Sequence, residues 1–86
     1  MLYRSTMPRL DLHGEDRVSA AIALKEFLND NYKLRNKELA VIHGIGSGIL
    51  RRVVQDILKK DNRVIEYGID YFNIGCTLIK MVEKEK

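Results

Sequence analysis

Leu50, Val53, Val54, Ile57 and Leu58 recur along Ile49 to Lys60 at the spacing of one helical face. What precedes that helix constrains the fold most. Leu39, Ala40, Val41 and Ile42 form a short apolar run within Glu38 to His43, and Gly44-Ile45-Gly46-Ser47-Gly48 then interrupts regular structure. The unit reads as strand, glycine loop, helix. The same order occurs upstream. From Arg9 to His13, Leu10 and Leu12 alternate with Asp11 and His13, so the apolar pair faces one way and the polar pair the other. Gly14 ends that strand, and Glu15 and Asp16 suit a helix N-terminus. A helix is expected over Glu15 to Lys33, with Val18, Ala21, Leu24, Leu28 and Tyr32 as its apolar stripe and Phe27 at a flank. Asn29, Asn31 and Asn36 weaken its end.

Downstream, Val64 to Tyr71 and Cys76 to Val82 read as strands, with Asn73 to Gly75 as the hairpin turn. The order is therefore βαβαββ. Strand-helix-strand units make parallel neighbours with right-handed crossovers, and the hairpin adds an antiparallel pair. Two helices cover one face of a four-stranded sheet. The expected fold is α/β (α+β): a two-layer sandwich with a mixed sheet and a partly open second face. The domain spans 9–82, after an N-terminal arm (1–8) that Pro8 holds extended and before a charged tail (83–86).

Composition sets outer bounds. The 86 residues suffice for one domain with a thin stability margin. At 45% hydrophobic and 31% charged the chain is not of the disordered class. A net charge of +3 permits a polyanionic partner without requiring one, because a solvated surface of mixed sign explains it equally well. The lone Cys76 rules out an internal disulfide and a cysteine-based zinc cluster; a small core residue in a reducing compartment fits it. No apolar run reaches membrane-span length, and residues 1–8 lack a signal-peptide core. The expectation is a cytoplasmic monomer with no membrane partner.

If the first two strands are parallel, His13 and His43 end them at the same sheet edge, the carboxyl end where α/β sheets place ligands. Asp11, two residues before His13, projects from the same strand face. The glycine loop opens the second helix, where backbone N–H groups and the helix N-terminus favour an anion. Arg51 and Arg52 lie in the first turn, and arginine suits bidentate phosphate contacts. The loop is not a Walker loop, since Gly-Lys-Ser/Thr is missing, nor the G-x-G-x-x-G dinucleotide fingerprint. Each feature also has a structural explanation: glycines serve tight turns, a strand-end histidine can bond a carbonyl, and Asp11 can cap or pair. Tyr67 and Tyr71, in phase on the third strand, serve packing or stack on bases.

Leu10-Asp11-Leu12-His13-Gly14 resembles the L-D-L-H-G motif that opens Smr (small MutS-related) domains. His43-Gly44-Ile45-Gly46-Ser47-Gly48 with Leu50-Arg51 resembles their H-G-x-G-x-G-x-L-R segment, at similar spacing. The resemblance runs from Arg9 to Val82. It implies a βαβαββ two-layer sandwich similar to the C-terminal domain of translation initiation factor three. It also implies association with DNA nicking or with RNA cleavage, including on ribosomes. Asp11, His13 and Gly14 carry over from the first motif, and His43, Gly44, Gly46, Gly48 and Arg51 from the second. The chain departs from the pattern at Asn73-Ile74-Gly75-Cys76-Thr77, where many relatives have a glycine-richer turn.

Two functions follow as expectations. As an endonuclease, the domain would use His43 or His13 as general base and the other as general acid, and Asp11 to orient His13 or, if a metal is used, to ligate it. The loop amides and Arg51 would stabilise charge on the phosphate. RNA supplies its own 2′-hydroxyl and needs no metal. DNA needs water, for which a Mg²⁺ or Mn²⁺ ion is more apt. Two histidines and an aspartate are a thin ligand set for Mg²⁺, which favours metal-free cleavage. As a non-catalytic nucleic-acid or ribosome-binding module, the domain would hold phosphates with the same loop and with Arg51 and Arg52. A small phosphorylated ligand is a more distant reading of the loop.

Overall fold

Six elements form in the computed structural model, which describes residues 2–84. They are β1 (Arg9–Asp11), α1 (Arg17–Lys33), β2 (Glu38–Ile42), α2 (Ile49–Lys60), β3 (Val64–Asp70) and β4 (Asn73–Met81). The strands make one mixed sheet in the order β1-β2-β4-β3. β1 and β2 run parallel, with Asp11 level with Ile42, and β4 lies antiparallel to both β2 and β3. The chain thus inserts its last strand at the centre of the sheet. This is the βαβαββ two-layer fold expected from the patterning.

α2 occupies the span its periodicity gives, and α1 differs from its expected form. α1 begins at Arg17, after an Asp16 N-cap whose carboxylate accepts from the Ser19 N–H at 2.8 Å. Its inner face is Ala20, Leu24, Leu28 and Asn31, while Val18 is 70% exposed. At 3.6 residues per turn, Val18 lies roughly a third of a turn from Leu24, so the stripe expected through Val18 does not follow the helix. α1 ends in a Schellman motif: Asn36 N–H donates to Asn31 O, Arg35 N–H donates to Tyr32 O, and Arg35 is left-handed at φ 63°. Asn31 is buried because its side chain is fully used, with Nδ2 donating to Phe27 O and Oδ1 accepting from Asn36.

The hairpin also differs from expectation. Its turn is Tyr71–Phe72, and Asn73 to Gly75 belong to β4. Asp70 pairs with Asn73 while Ile69 pairs with Thr77. That register shift leaves Ile74, Gly75 and Cys76 without a partner on β3, as in a bulge.

The main core lies between helices and sheet and includes Leu12, Leu24, Leu28, Leu39, Val41, Val54, Leu58 and Ile79. The second sheet face carries a smaller cluster of Met7, Ala40, Cys76 and Leu78, with Tyr3 and Ile42 against it. The arm, as far as it is described, therefore packs on the face that two helices leave uncovered. Arg4 bonds Glu38 at 2.9 Å beside it. Met1 of the arm and Glu85 and Lys86 of the charged tail lie outside the described residues. Among the described residues no helix is long and apolar enough to cross a membrane.

Candidate active site

The parallel β1–β2 pair brings the ends of both strands, and the starts of both helices, to one edge of the sheet. There a cleft of about 510 Å³ is lined by His13 to Arg17 on one side and His43 to Arg51 on the other. The two segments singled out in the sequence thus form one site.

β1 ends at Asp11, and the chain turns over Leu12 to Glu15. Glu15 N–H donates to Leu12 O at 3.0 Å, and Gly14 has φ 85°, the type II geometry that demands glycine at the third position. Asp11 Oδ1 accepts the His13 backbone N–H at 2.9 Å and so fixes this turn. β1 ends before His13, but Asp11 and His13 are both exposed on either side of the buried Leu12. Asp11 holds the main chain at His13, and the His13 ring is exposed and lies against Gly44. A Cβ on Gly44, which has φ 81°, would sit 3.4 Å from His13 Cδ2.

His43 points inward and is 5% exposed. Its Nδ1 lies 2.9 Å from Gly44 O, which can only accept, so Nδ1 carries the proton. Nε2 then accepts from the Thr77 hydroxyl at 2.9 Å. Burial pushes the His43 pKa below its usual value and the Arg51 charge adds to this, against the opposing Gly44 bond. His43 is a neutral, fully engaged ring. The backbone is held as well: the His43 and Gly44 N–H groups both donate to Gly75 O, at 2.9 and 3.0 Å.

Beyond this anchor the loop is open. None of the hydrogen bonds among the described residues uses the N–H groups of Ile45 to Arg51. The N-cap of α2 is Gly48 at φ 84°, with no side-chain cap. A run of free amides therefore meets the positive end of α2. Arg51 lines the cleft, whereas Arg52 lies outside its lining and pairs with Asp56 at 3.5 Å. Gly46 has ample space for a Cβ and an ordinary φ. Glu15 and Asp16 balance Arg17 and Arg51 in side-chain charge, so preference for an anion falls to the amides and helix ends. Among the described residues no three His, Cys, Asp or Glu side chains gather to hold a metal ion.

Arg17 was not legible as a site residue, although a βαβ unit puts both helix N-termini at one sheet edge. Gly75 and Thr77 stood out in the sequence only as part of the segment that departs from the Smr pattern, with nothing to link them to His43. They reach the site because β4 lies next to β2.

Residues 10–80 match the Smr domain family. The endonuclease MutS2 of Clostridium kluyveri is 38% identical over 80 residues, covering 93% of this chain and 10% of that protein. That of Helicobacter pylori is 36% identical over 75 residues, covering 87% and 10%. The chain thus spans about a tenth of the length of these curated relatives. Among solved structures, the Smr domain of Thermus thermophilus MutS2 superposes with a TM-score of 0.85 at 24% identity, covering 88% of this chain and 99% of that one. YdaL, a stand-alone small MutS-related protein from Escherichia coli, gives 0.86 at 16% identity, covering 91% and 66%. Both are likenesses of fold. The sequence match across nearly all of the strands and helices described above makes this chain a member of the Smr domain family.

Proposed function

We propose that the cleft holds a phosphodiester group of a nucleic-acid strand and that His13 transfers a proton during its cleavage. The observation that carries this reading is the placement of the exposed His13 ring against Gly44, at the entrance to the free amides of Ile45 to Arg51. The amides and Arg51 would stabilise negative charge on the phosphate oxygens, which is where charge grows in the transition state. His13 would take the proton of the attacking 2′-hydroxyl of RNA, or of water on DNA, as the new P–O bond forms, and the proton passes to the leaving oxygen as the old P–O bond breaks. His43 contributes by positioning: its bonds to Gly44 and Thr77 lock the loop that presents the amides. The name of the MutS2 relatives, endonuclease, agrees with this chemistry.

The test is cleavage of a labelled structured RNA and of a supercoiled plasmid. Each is run in EDTA and with Mg²⁺ or Mn²⁺, because a cation entering on the phosphate's own oxygens needs no cluster of protein ligands. His13→Ala is expected to lower the rate about 10²- to 10⁴-fold with the fold intact. Arg51→Ala is expected to weaken binding and reduce its salt dependence by about one charge.

One observation favours a second reading. A single free imidazole, with no carboxylate bonded to its ring, is a sparse catalytic set. The same cradle would then bind a backbone phosphate of DNA, RNA or a ribosome without cutting it. Intact substrates in every lane, with salt-sensitive gel shifts that depend on Arg51, would establish that reading in place of the nuclease. Competition by a mononucleotide as strong as by an oligonucleotide would point instead to a small phosphorylated ligand.

A further inference from the structure

The β3–β4 turn carries two large aromatic side chains, Tyr71 and Phe72, that are 75% and 87% exposed. Turn positions favour small polar residues and glycine, so an aromatic as exposed as Phe72 there needs a reason; Tyr71 borders a groove with Met7, Leu78 and Lys80 on the sheet face opposite the helices. The tip is held firmly. Asp70 Oδ1 accepts the Phe72 N–H at 3.2 Å, and Asn73 Oδ1 accepts the Gly75 N–H at 2.9 Å. It is also tied to the candidate phosphate cradle. Gly75 O accepts from His43 and Gly44, and a Cβ on Gly75 would come within 3.2 Å of the Gly44 backbone. Gly75 is three positions along the chain from Phe72, a span of at most about 11 Å. Ile45, Ile49, Phe72 and Ile74 are four of the ten exposed large hydrophobics among the described residues, and they lie at this end of the sheet: in the glycine loop, at the start of α2, in the turn and at the start of β4. An apolar ledge with an aromatic tip thus lies beside the amide-lined cleft.

Resting on the phosphate reading above, we propose that this ledge stacks on an unpaired base flanking the bound phosphate, with Phe72 as the platform. The ligand class is single-stranded nucleic acid, or the unpaired part of a folded one. Aromatic rings stack on any base face, so the ledge selects unpaired over paired nucleotides rather than one sequence. Bases inside a duplex present no free face to it.

The chain has no tryptophan, so Phe72→Trp installs a sole tryptophan at the tip, excited selectively over the four tyrosines. It is titrated with single-stranded RNA and DNA oligonucleotides, an abasic phosphodiester strand of equal length, and a duplex. Phe72→Ala and Arg51→Ala are compared with wild type by affinity. The expected result is quenching by the base-bearing strands alone, with about tenfold weaker binding of those strands to Phe72→Ala and unchanged binding of the abasic strand. Parallel RNA and DNA titrations show which sugar is preferred. Equal affinity of Phe72→Ala and wild type for base-bearing strands overturns the stacking proposal, as does equal quenching by the abasic strand or by the duplex. Binding that still depends on Arg51 in those cases leaves the phosphate reading standing. A wild-type protein that binds no strand overturns both.

Discussion

At the scale of single residues, the two histidines that look alike in the sequence have opposite situations. His13 is exposed at the cleft, and His43 is buried and neutral between Gly44 and Thr77. A pH dependence follows. The folded chain holds the His43 pKa below its ordinary 6.5, so the unfolded chain binds that proton more readily. The stabilisation is complete above pH 6.5 and is lost progressively as pH falls below it. Urea denaturation across this range should show the loss in wild type, and His43→Asn should remove that part of the slope. The glycines divide in a similar way. Gly44→Ala meets a left-handed φ, its new Cβ reaching only van der Waals contact with His13, and is expected to cost about 1–2 kcal/mol. Gly46→Ala has no such φ and nothing near its Cβ, and should stay within about 0.5 kcal/mol of wild type by the same denaturation.

At the scale of elements, helix ends and a single arginine connect the layers. Arg63 bonds Asp61 through Nε at 3.1 Å and Nη2 at 2.9 Å, reaches Asn29 at 3.3 Å and lies over the Tyr32 ring. It fastens the end of α2 to the last turns of α1, and it holds the Asp61 carboxyl below its usual pKa. Arg63→Ala should destabilise by about 1–2 kcal/mol, because a fork, a bond and a cation–π contact go together. Arg63→Lys should recover only part, since an ammonium cannot reproduce the fork. The exit of α1 offers the reverse case. Arg35 occupies the left-handed position that glycine favours, so Arg35→Gly should raise the denaturation midpoint by up to about 1 kcal/mol equivalent. The periodicity of α2 showed its span and inner face directly. That of α1 did not, because Val18 and Ala21 are apolar but turned aside, while the polar Asn31 is buried by satisfying its own bonds.

At the scale of the whole molecule, a small domain uses its N-terminal arm as part of the fold. Met7 is 7% exposed and packs with Ala40, Cys76 and Leu78 on the sheet face opposite the helices. Burial also raises the Cys76 thiol pKa, further suppressing the reactive thiolate. Met7→Ala should cost about 2 kcal/mol. It should also speed labelling of Cys76 by a thiol reagent under native conditions. Labelling as slow as in wild type would show that the arm does not protect this face.

The sequence by itself determined the six elements and their order, and it marked the two motifs that meet at the cleft. Those features are local: period-two and 3.6 alternation, glycine breaks and charges at helix ends act over a few residues. Only the tertiary structure decided that β4 enters between β2 and β3, since strand order depends on which edges pair and not on the pattern within a strand. That insertion brings Thr77 to His43 and Gly75 to the glycine loop. It thereby leaves His43 a buried support and His13 the free ring. Chain neighbours alone could not distinguish those roles, because contacts made 34 residues apart in the chain set them.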